Sequence, residues 1–233
     1  MSRFRRSVRE MFLSRVNSSK LGTFIKRITE YGLQRIGAYP WRRESDPYKI
    51  FVAEMLLQRT RAKQVVQVYS NFVKKFPTID SLANAEIKEI IEMIKPLGLA
   101  YRAERLKRIA SIIVKNYYGK FPSELNELLK LPGIGLYIAC VILCFSFKKK
   151  IPVFDSNVRR VLGRVFSIQF PKNAHKKPEL LQALKIFFPE ERAKEFVIGL
   201  LDLGIEICLP KRPKCHECLL IDICEYAQQH HTL

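Results

Sequence analysis

Residues Ser123-Glu124-Leu125-Asn126-Glu127-Leu128-Leu129-Lys130-Leu131-Pro132-Gly133-Ile134-Gly135-Leu136-Tyr137-Ile138-Ala139-Cys140-Val141-Ile142-Leu143-Cys144-Phe145-Ser146-Phe147 read as two helices around a tight turn. Ser123 to Lys130 forms the first helix, Leu131 to Gly135 the turn, and Leu136 to Phe147 a strongly apolar second helix. Gly133 and Gly135 allow a backbone that points amide N–H groups outward at a helix N-terminus. There the helix dipole also favours an anion such as a nucleic-acid phosphate. Such a contact positions a protein without reading sequence. The same residues also fit a plain helix–helix turn.

Outward from this hairpin the helical period continues, as in Ile25, Ile28, Leu33 and Ile36, or Val65, Val68, Phe72 and Val73, and no run alternates as strands do. An all-α fold of about ten helices is expected. Asp46-Pro47 opens one helix, Asp80 is placed to cap another, and Gly119 with Pro122 closes the one that begins near Tyr101. No repeat, low-complexity tract or long linker breaks the chain.

The 233 residues carry 41 Lys and Arg against 22 Asp and Glu, a formal charge of +19 spread over the whole length. A polyanionic partner explains that imbalance, although charge alone does not separate DNA from RNA or anionic lipid. With 48% hydrophobic residues the chain can bury a core. Its longest apolar stretch, Leu136 to Phe147, is about half the roughly 20 residues needed to cross a bilayer, so no membrane span is expected. Met1 to Val16 is Arg-rich, and its Phe4, Val8, Met11, Phe12 and Val16 recur at helical spacing. It reads as a first helix with Arg3, Arg5 and Arg6 near nucleic acid or as an organelle-targeting peptide, and it lacks the apolar core of a secretory signal. An intracellular, cytoplasmic or nucleoid protein follows.

Cys208, Cys215, Cys218 and Cys224 form a Cys-x6-Cys-x2-Cys-x5-Cys group inside seventeen residues. Without a secretory signal, metal ligation is favoured over disulfides. Zinc accepts four thiolates, but usually from two close pairs, whereas one pair with two outliers suits a [4Fe-4S] cluster. Lys211, Arg212 and Lys214 lie between the first two ligands, where a pinned loop would hold cations against phosphates; the alternative is a cluster that only staples the fold. Cys140 and Cys144 read as buried small hydrophobes. His230 and His231 read as a frayed tail.

Beyond the hairpin runs Ile151-Pro152-Val153-Phe154-Asp155-Ser156-Asn157-Val158-Arg159-Arg160-Val161, with Asp155 at a helix start, where an N-cap is its plainest role. The whole arrangement resembles the helix-hairpin-helix glycosylase superfamily, which includes endonuclease III and the adenine glycosylase MutY. The residues that carry the resemblance run from Tyr39 to Tyr226. They are Pro40-Trp41-Arg42, Asp46-Pro47-Tyr48, Glu54 to Thr60, Leu97-Gly98-Leu99, the hairpin, Asp155 and the four cysteines.

The resemblance implies a six-helix barrel domain, mapped to about residues 43–149 with the hairpin at about 122–147, inserted into a second domain. That second domain comprises residues 1–42 and 150–233 and carries the cluster loop 208–224. It also implies base flipping on double-stranded DNA that holds a mismatch or damaged base. Asp155 becomes the catalytic carboxylate, stabilising positive charge on the sugar or orienting water.

Within the superfamily, a Lys after Gly135-Leu136 would attack the sugar and nick the strand. Tyr137 stands there instead, which implies a monofunctional enzyme that leaves an abasic site. Lys130 and Lys148 are near in sequence, but nothing places them on the sugar. MutY-like enzymes usually have Ser at this position and a further C-terminal domain, whereas this chain stops nine residues after Cys224. Glu54-Met55-Leu56-Leu57-Gln58-Arg59-Thr60 and Tyr137 most resemble the MIG-type thymine or uracil mismatch glycosylases. By that likeness Glu54, facing the interdomain cleft, bonds the base or exchanges protons, and Tyr137 lines the base pocket. Their plainer readings are a solvated helix carboxylate and a core tyrosine.

Gln58 and Arg59 stand where the family inserts a side chain into the gap left by the flipped base, with Arg59 the better wedge. Arg159, Arg160 and Arg164 read as phosphate binders or solvated charges. Two rivals stay open: a MutY-like adenine glycosylase acting opposite 8-oxoguanine or guanine, and a structural DNA-binding module without catalysis. A monomer is expected, since nothing resembles a heptad.

Overall fold

The structure, a computed structural model, describes residues 16–98, 100–171, 173 and 177–230. Among these residues the chain forms twelve α-helices, short 3-10 turns and no strand. The all-α expectation holds. The proposed first helix with Arg3, Arg5 and Arg6, and the position of His231, lie outside the described residues. No helix of the described residues is long and apolar enough to cross a membrane.

The chain divides into two compact units, one of Gly37–Lys149 and one of Met1–Ile36 with Lys150–Leu233. In the first unit, helix α2 (Pro47–Leu57) is the central element. Asp46 caps it by accepting from the Tyr48 N–H at 2.9 Å, and Pro47 occupies the first turn, where its missing N–H costs nothing. Tyr48, Ile50, Phe51, Val52, Ala53, Met55 and Leu56 are all buried, because α2 is covered by α3 (Ala62–Lys75), α6 (Tyr101–Tyr117) and α8 (Leu136–Phe145). Phe51 also meets the Phe121 ring at 5.5 Å. Helices α4 (Ile79–Asn84) and α5 (Ile87–Ile94) pack on α6.

Three boundaries differ from the sequence reading. Asp80 does not cap α4; it sits in its first turn, while Thr78 and Ser81 exchange hydrogen bonds as a reciprocal capping box. Helix α7 (Leu125–Lys130) starts two residues later than expected, and α8 ends at Phe145. Helix α6 closes as expected from Gly119, through Tyr118 and Gly119 in left-handed conformation.

The second unit is built on α1 (Ser18–Arg35), which packs along α11 (Ala193–Glu206). Its buried stripe is Phe24, Ile28 and Gly32, not the Ile25, Leu33 and Ile36 that the apolar pattern suggested. Helix α9 (Ser156–Val165) lies on α11 and on α12 (Glu225–His230), and α10 (Glu179–Leu184) completes the unit. Phe24 holds edge-on contacts with Phe166 at 5.2 Å and Phe196 at 5.8 Å. From α1, Arg27 donates to Asp222 at 3.0 Å and to the Leu219 carbonyl at 2.9 Å, and Lys20 donates to Glu225 at 2.8 Å. The segment of the C-terminal cysteines is thereby tied to the first helix.

Candidate functional site

In the hairpin, Gly133 has φ +88°, a conformation that favours glycine, and a Cβ there would lie 2.3 Å from Arg105 Cδ, so the Arg105 side chain would also have to shift. Gly135 differs. Its φ of −87° suits any residue, and a Cβ would meet nothing within 4 Å. Only one of the two glycines is therefore needed for the turn itself. Gly135 is the N-cap of α8 and has no side chain to satisfy the first amides of that helix, and it is exposed.

Tyr137 stands half-buried in the first turn of α8, and Glu54 half-buried on α2, which packs against α8. Beyond α2 the chain turns through Gln58, half-buried, and Arg59, exposed with φ +58°. The turn is braced from inside. The Thr60 N–H donates to the Leu57 carbonyl at 3.1 Å, and Arg102 donates to the Leu56 carbonyl at 2.6 Å and to Thr60 Oγ1 at 2.7 Å. Arg105, one turn further along α6, donates to Gln58 Oε1 at 3.4 Å.

In the other unit, Asp155 is the N-cap of α9: Oδ1 accepts from the Val158 N–H at 2.8 Å, and Oδ2 accepts from Asn157 Nδ2 at 2.8 Å. Each oxygen keeps acceptor capacity beyond these bonds. Asn157 Oδ1 accepts from Arg160 at 2.9 Å, and Arg160 donates onward to the carbonyls of Gly204 at 2.6 Å and Cys208 at 2.7 Å. Burial lowers the Arg160 pKa, opposed by its neighbour Cys208. The sequence reading took Arg160 for a phosphate binder or solvated charge; here it braces Asp155 against the cysteine segment. Arg159 is half-buried on α9. Arg164 donates to Cys208 Sγ at 3.3 Å and to the Leu209 and Pro210 carbonyls at 2.7 and 3.1 Å, and covers the Tyr226 ring at 4.5 Å.

Cys208, Cys215, Cys218 and Cys224 line one apolar cavity together with Val161, Val165, Leu203 and Leu220. Burial pushes the Cys218 thiol up to about 11 and raises those of Cys215 and Cys224. Thiolates in such a place call for a cationic centre. Among the described residues no three His, Cys, Asp or Glu side chains converge closely enough to hold a single metal ion. Lys211, Arg212 and Lys214 are exposed on the intervening loop. Cys140 and Cys144 are buried in α8, and burial pushes Cys140 up to about 12, consistent with core roles.

Asn157, Arg102 and Arg105 carried no role in the sequence reading. Arg102 had a signal: it sits on the stripe with Leu106, Ile109 and Ile113, where a charge has no ordinary place.

Residues 52–186 match the model of the HhH-GPD superfamily of base excision DNA repair proteins. The chain is 39% identical to the thymine-DNA glycosylase of Aeropyrum pernix over 80% of its own length and 86% of that protein. It is 33% identical to the thymine/uracil-DNA glycosylase of Methanothermobacter thermautotrophicus over 82% and 87%. An adenine DNA glycosylase of Buchnera aphidicola is 35% identical over 80% of this chain but only 53% of that protein. Among solved structures, a thermostable thymine-DNA glycosylase superposes with a TM-score of 0.83 at 31% identity, covering 91% of this chain and 98% of the other.

Proposed function

The chain belongs to the HhH-GPD superfamily of base excision DNA repair proteins, and we propose that it is a monofunctional glycosylase hydrolysing the N-glycosidic bond of thymine or uracil mispaired with guanine. The observation that carries the substrate class is the likeness to thymine- and thymine/uracil-DNA glycosylases over most of both chains. Tyr137 in place of a lysine in the first turn of α8 supports hydrolysis without strand cleavage, because no amine stands there to form a Schiff base.

In this reading the target nucleotide leaves the stack, most readily at a weakly paired mismatch. Asp155, held as a carboxylate acceptor by Val158 and Asn157, stabilises the cationic sugar or orients water with its remaining lone pairs. Glu54 bonds the base, Tyr137 packs against the flipped nucleotide, and Gln58 and Arg59 fill the vacated stack. The open space at Gly135 lets a phosphate approach the amides at the start of α8, with Gly133 shaping the turn and Arg159 adding a phosphate contact.

The four cysteines fit a [4Fe-4S] cluster by donor type and by placement around one apolar cavity. Zinc usually takes its thiolates from two close pairs, whereas the spacing here, one close pair with two outliers, suits a cubane. When bound, that group supplies a rigid cationic staple for residues 208–224, which we assign to the unit formed by the two chain ends.

Alkali-revealed cleavage of duplexes with T·G, U·G, A·8-oxoguanine or thymine glycol tests the reading, with Asp155→Asn as control. Excision of T or U opposite G, dependent on alkali and lost in the variant, is expected. Adenine excision would support the second reading, which the adenine glycosylase likeness favours. No excision of any base would leave only a binding module.

A further inference from the structure

We infer that Arg102 is a positioning residue that presets the Gln58–Thr60 turn for entry into DNA. This rests on the reading of that turn as the wedge. Arg102 is fully buried on α6, where a guanidinium is costly unless its hydrogen bonds compensate. Burial lowers its pKa, with Tyr101 partly opposing. Two of its side-chain bonds reach one place: Nη1 donates to the Leu56 carbonyl in the last turn of α2, and Nη2 donates to Thr60 Oγ1. Nε stays buried without a partner. A core built for packing alone would place an apolar side chain at this point of the stripe.

What the guanidinium holds is a turn of unfavourable shape. Arg59 takes φ +58°, a region that L residues with side chains avoid. Arg102 grips the chain on both sides of it, three residues before and one after, while the Arg59 side chain remains exposed. Arg105 adds a brace at Gln58 and lies where a Cβ of Gly133 would be, so α6 ties the turn to the hairpin. Wedge and hairpin are thus set in register before DNA arrives, and the ordering cost is met in folding rather than in flipping.

The test uses the full chain on T·G duplexes carrying 2-aminopurine beside the mismatch, reading flipping by fluorescence, single-turnover excision, and affinity for matched duplex. Arg102→Met and Arg102→Lys are expected to lose about tenfold to a hundredfold in excision and most of the fluorescence change, with matched-duplex affinity little altered. Thr60→Val removes one of the two grips without touching the buried charge, and should move the same two readouts if the Arg102 variants fail to fold. If Arg59→Ala and Gln58→Ala together leave flipping intact, the wedge reading fails. If they abolish it while the folded Arg102 variants and Thr60→Val flip and excise as the parent does, the positioning role of Arg102 is overturned alone.

Discussion

Gly32 and Gly199 meet face to face where α1 crosses α11: a Cβ on Gly32 would lie 1.8 Å from the Glu195 carbonyl oxygen, and one on Gly199 would lie 2.2 Å from that of Ile28. The obstacles are backbone atoms, which cannot swing aside as a side chain can. Gly32→Ala or Gly199→Ala should therefore cost about 3 kcal/mol or more and lower Tm by roughly 6–12 °C. Gly22 lies on the same helix with nothing within 4 Å of its would-be Cβ, and Gly22→Ala should stabilise by about 0.5–1 kcal/mol. Thermal unfolding of the three variants decides; equal effects would mean that the helices do not cross in backbone contact.

The two hairpin glycines separate stability from binding. Gly133→Ala meets both a positive φ and Arg105, and should cost about 1–2 kcal/mol with partial loss of activity. Gly135→Ala meets neither, so its stability should stay within about 1 kcal/mol of the parent, while a methyl would stand in the path of the proposed phosphate contact. Duplex affinity across a salt series should fall for Gly135→Ala at near-parental Tm. Unchanged affinity would remove the hairpin amides from the DNA contact.

These glycines also mark where sequence reading stops. The hairpin, the Asp46-Pro47 start of α2, the cap at Asp155 and the all-helical class were legible, because periodicity, Pro, Gly and Asp act locally. The buried stripe of α1 was not: Gly32 supplies its closest approach, and a residue with no side chain leaves no mark in an apolar pattern. Arg102 drew no role and Arg160 read as a phosphate binder or solvated charge, because a cation satisfied by carbonyls far along the chain is indistinguishable in sequence from one satisfied by water. Asp80 misled because Thr78 and Ser81 offered the better reciprocal cap two residues earlier.

Asn157 is the link that joins Asp155 to Arg160, and through it to the Cys208 carbonyl. Asn157→Ala leaves Asp155 its Val158 bond but frees one oxygen, and should cost about tenfold to a hundredfold in single-turnover excision with duplex affinity retained. Gly204→Ala provides an independent check without deleting a polar group, since its Cβ would sit 2.8 Å from Asn157 Cβ and displace that side chain. A parental rate in both variants would mean that Asp155 needs no support from this direction.

Removal of the proposed cluster should act locally. Apart from the proposed metal, the backbone at Cys208 is held by the Leu203 carbonyl, by Arg160 and, through the Leu209 and Pro210 carbonyls, by Arg164, and the far end of the segment is held by Arg27 at Asp222 and Lys20 at Glu225. The stretch between these anchors, with Lys211, Arg212 and Lys214, is expected to depend most on the thiolates for its shape. Iron chelation or Cys218→Ser should therefore speed amide hydrogen exchange in 209–220 while α1 and α11 remain protected, because the Phe24 cluster and the glycine crossing do not involve the metal. Duplex affinity and its salt dependence should both drop as the loop cations lose their fixed positions. Metal analysis of the purified protein discriminates the centre: iron and sulfide in equal amounts, about four of each per chain, belong to the cubane, whereas a single zinc would replace it with a tetrahedral staple. If exchange instead rises throughout α1 and α11 on chelation, the centre carries the whole unit and the protein anchors named above contribute little.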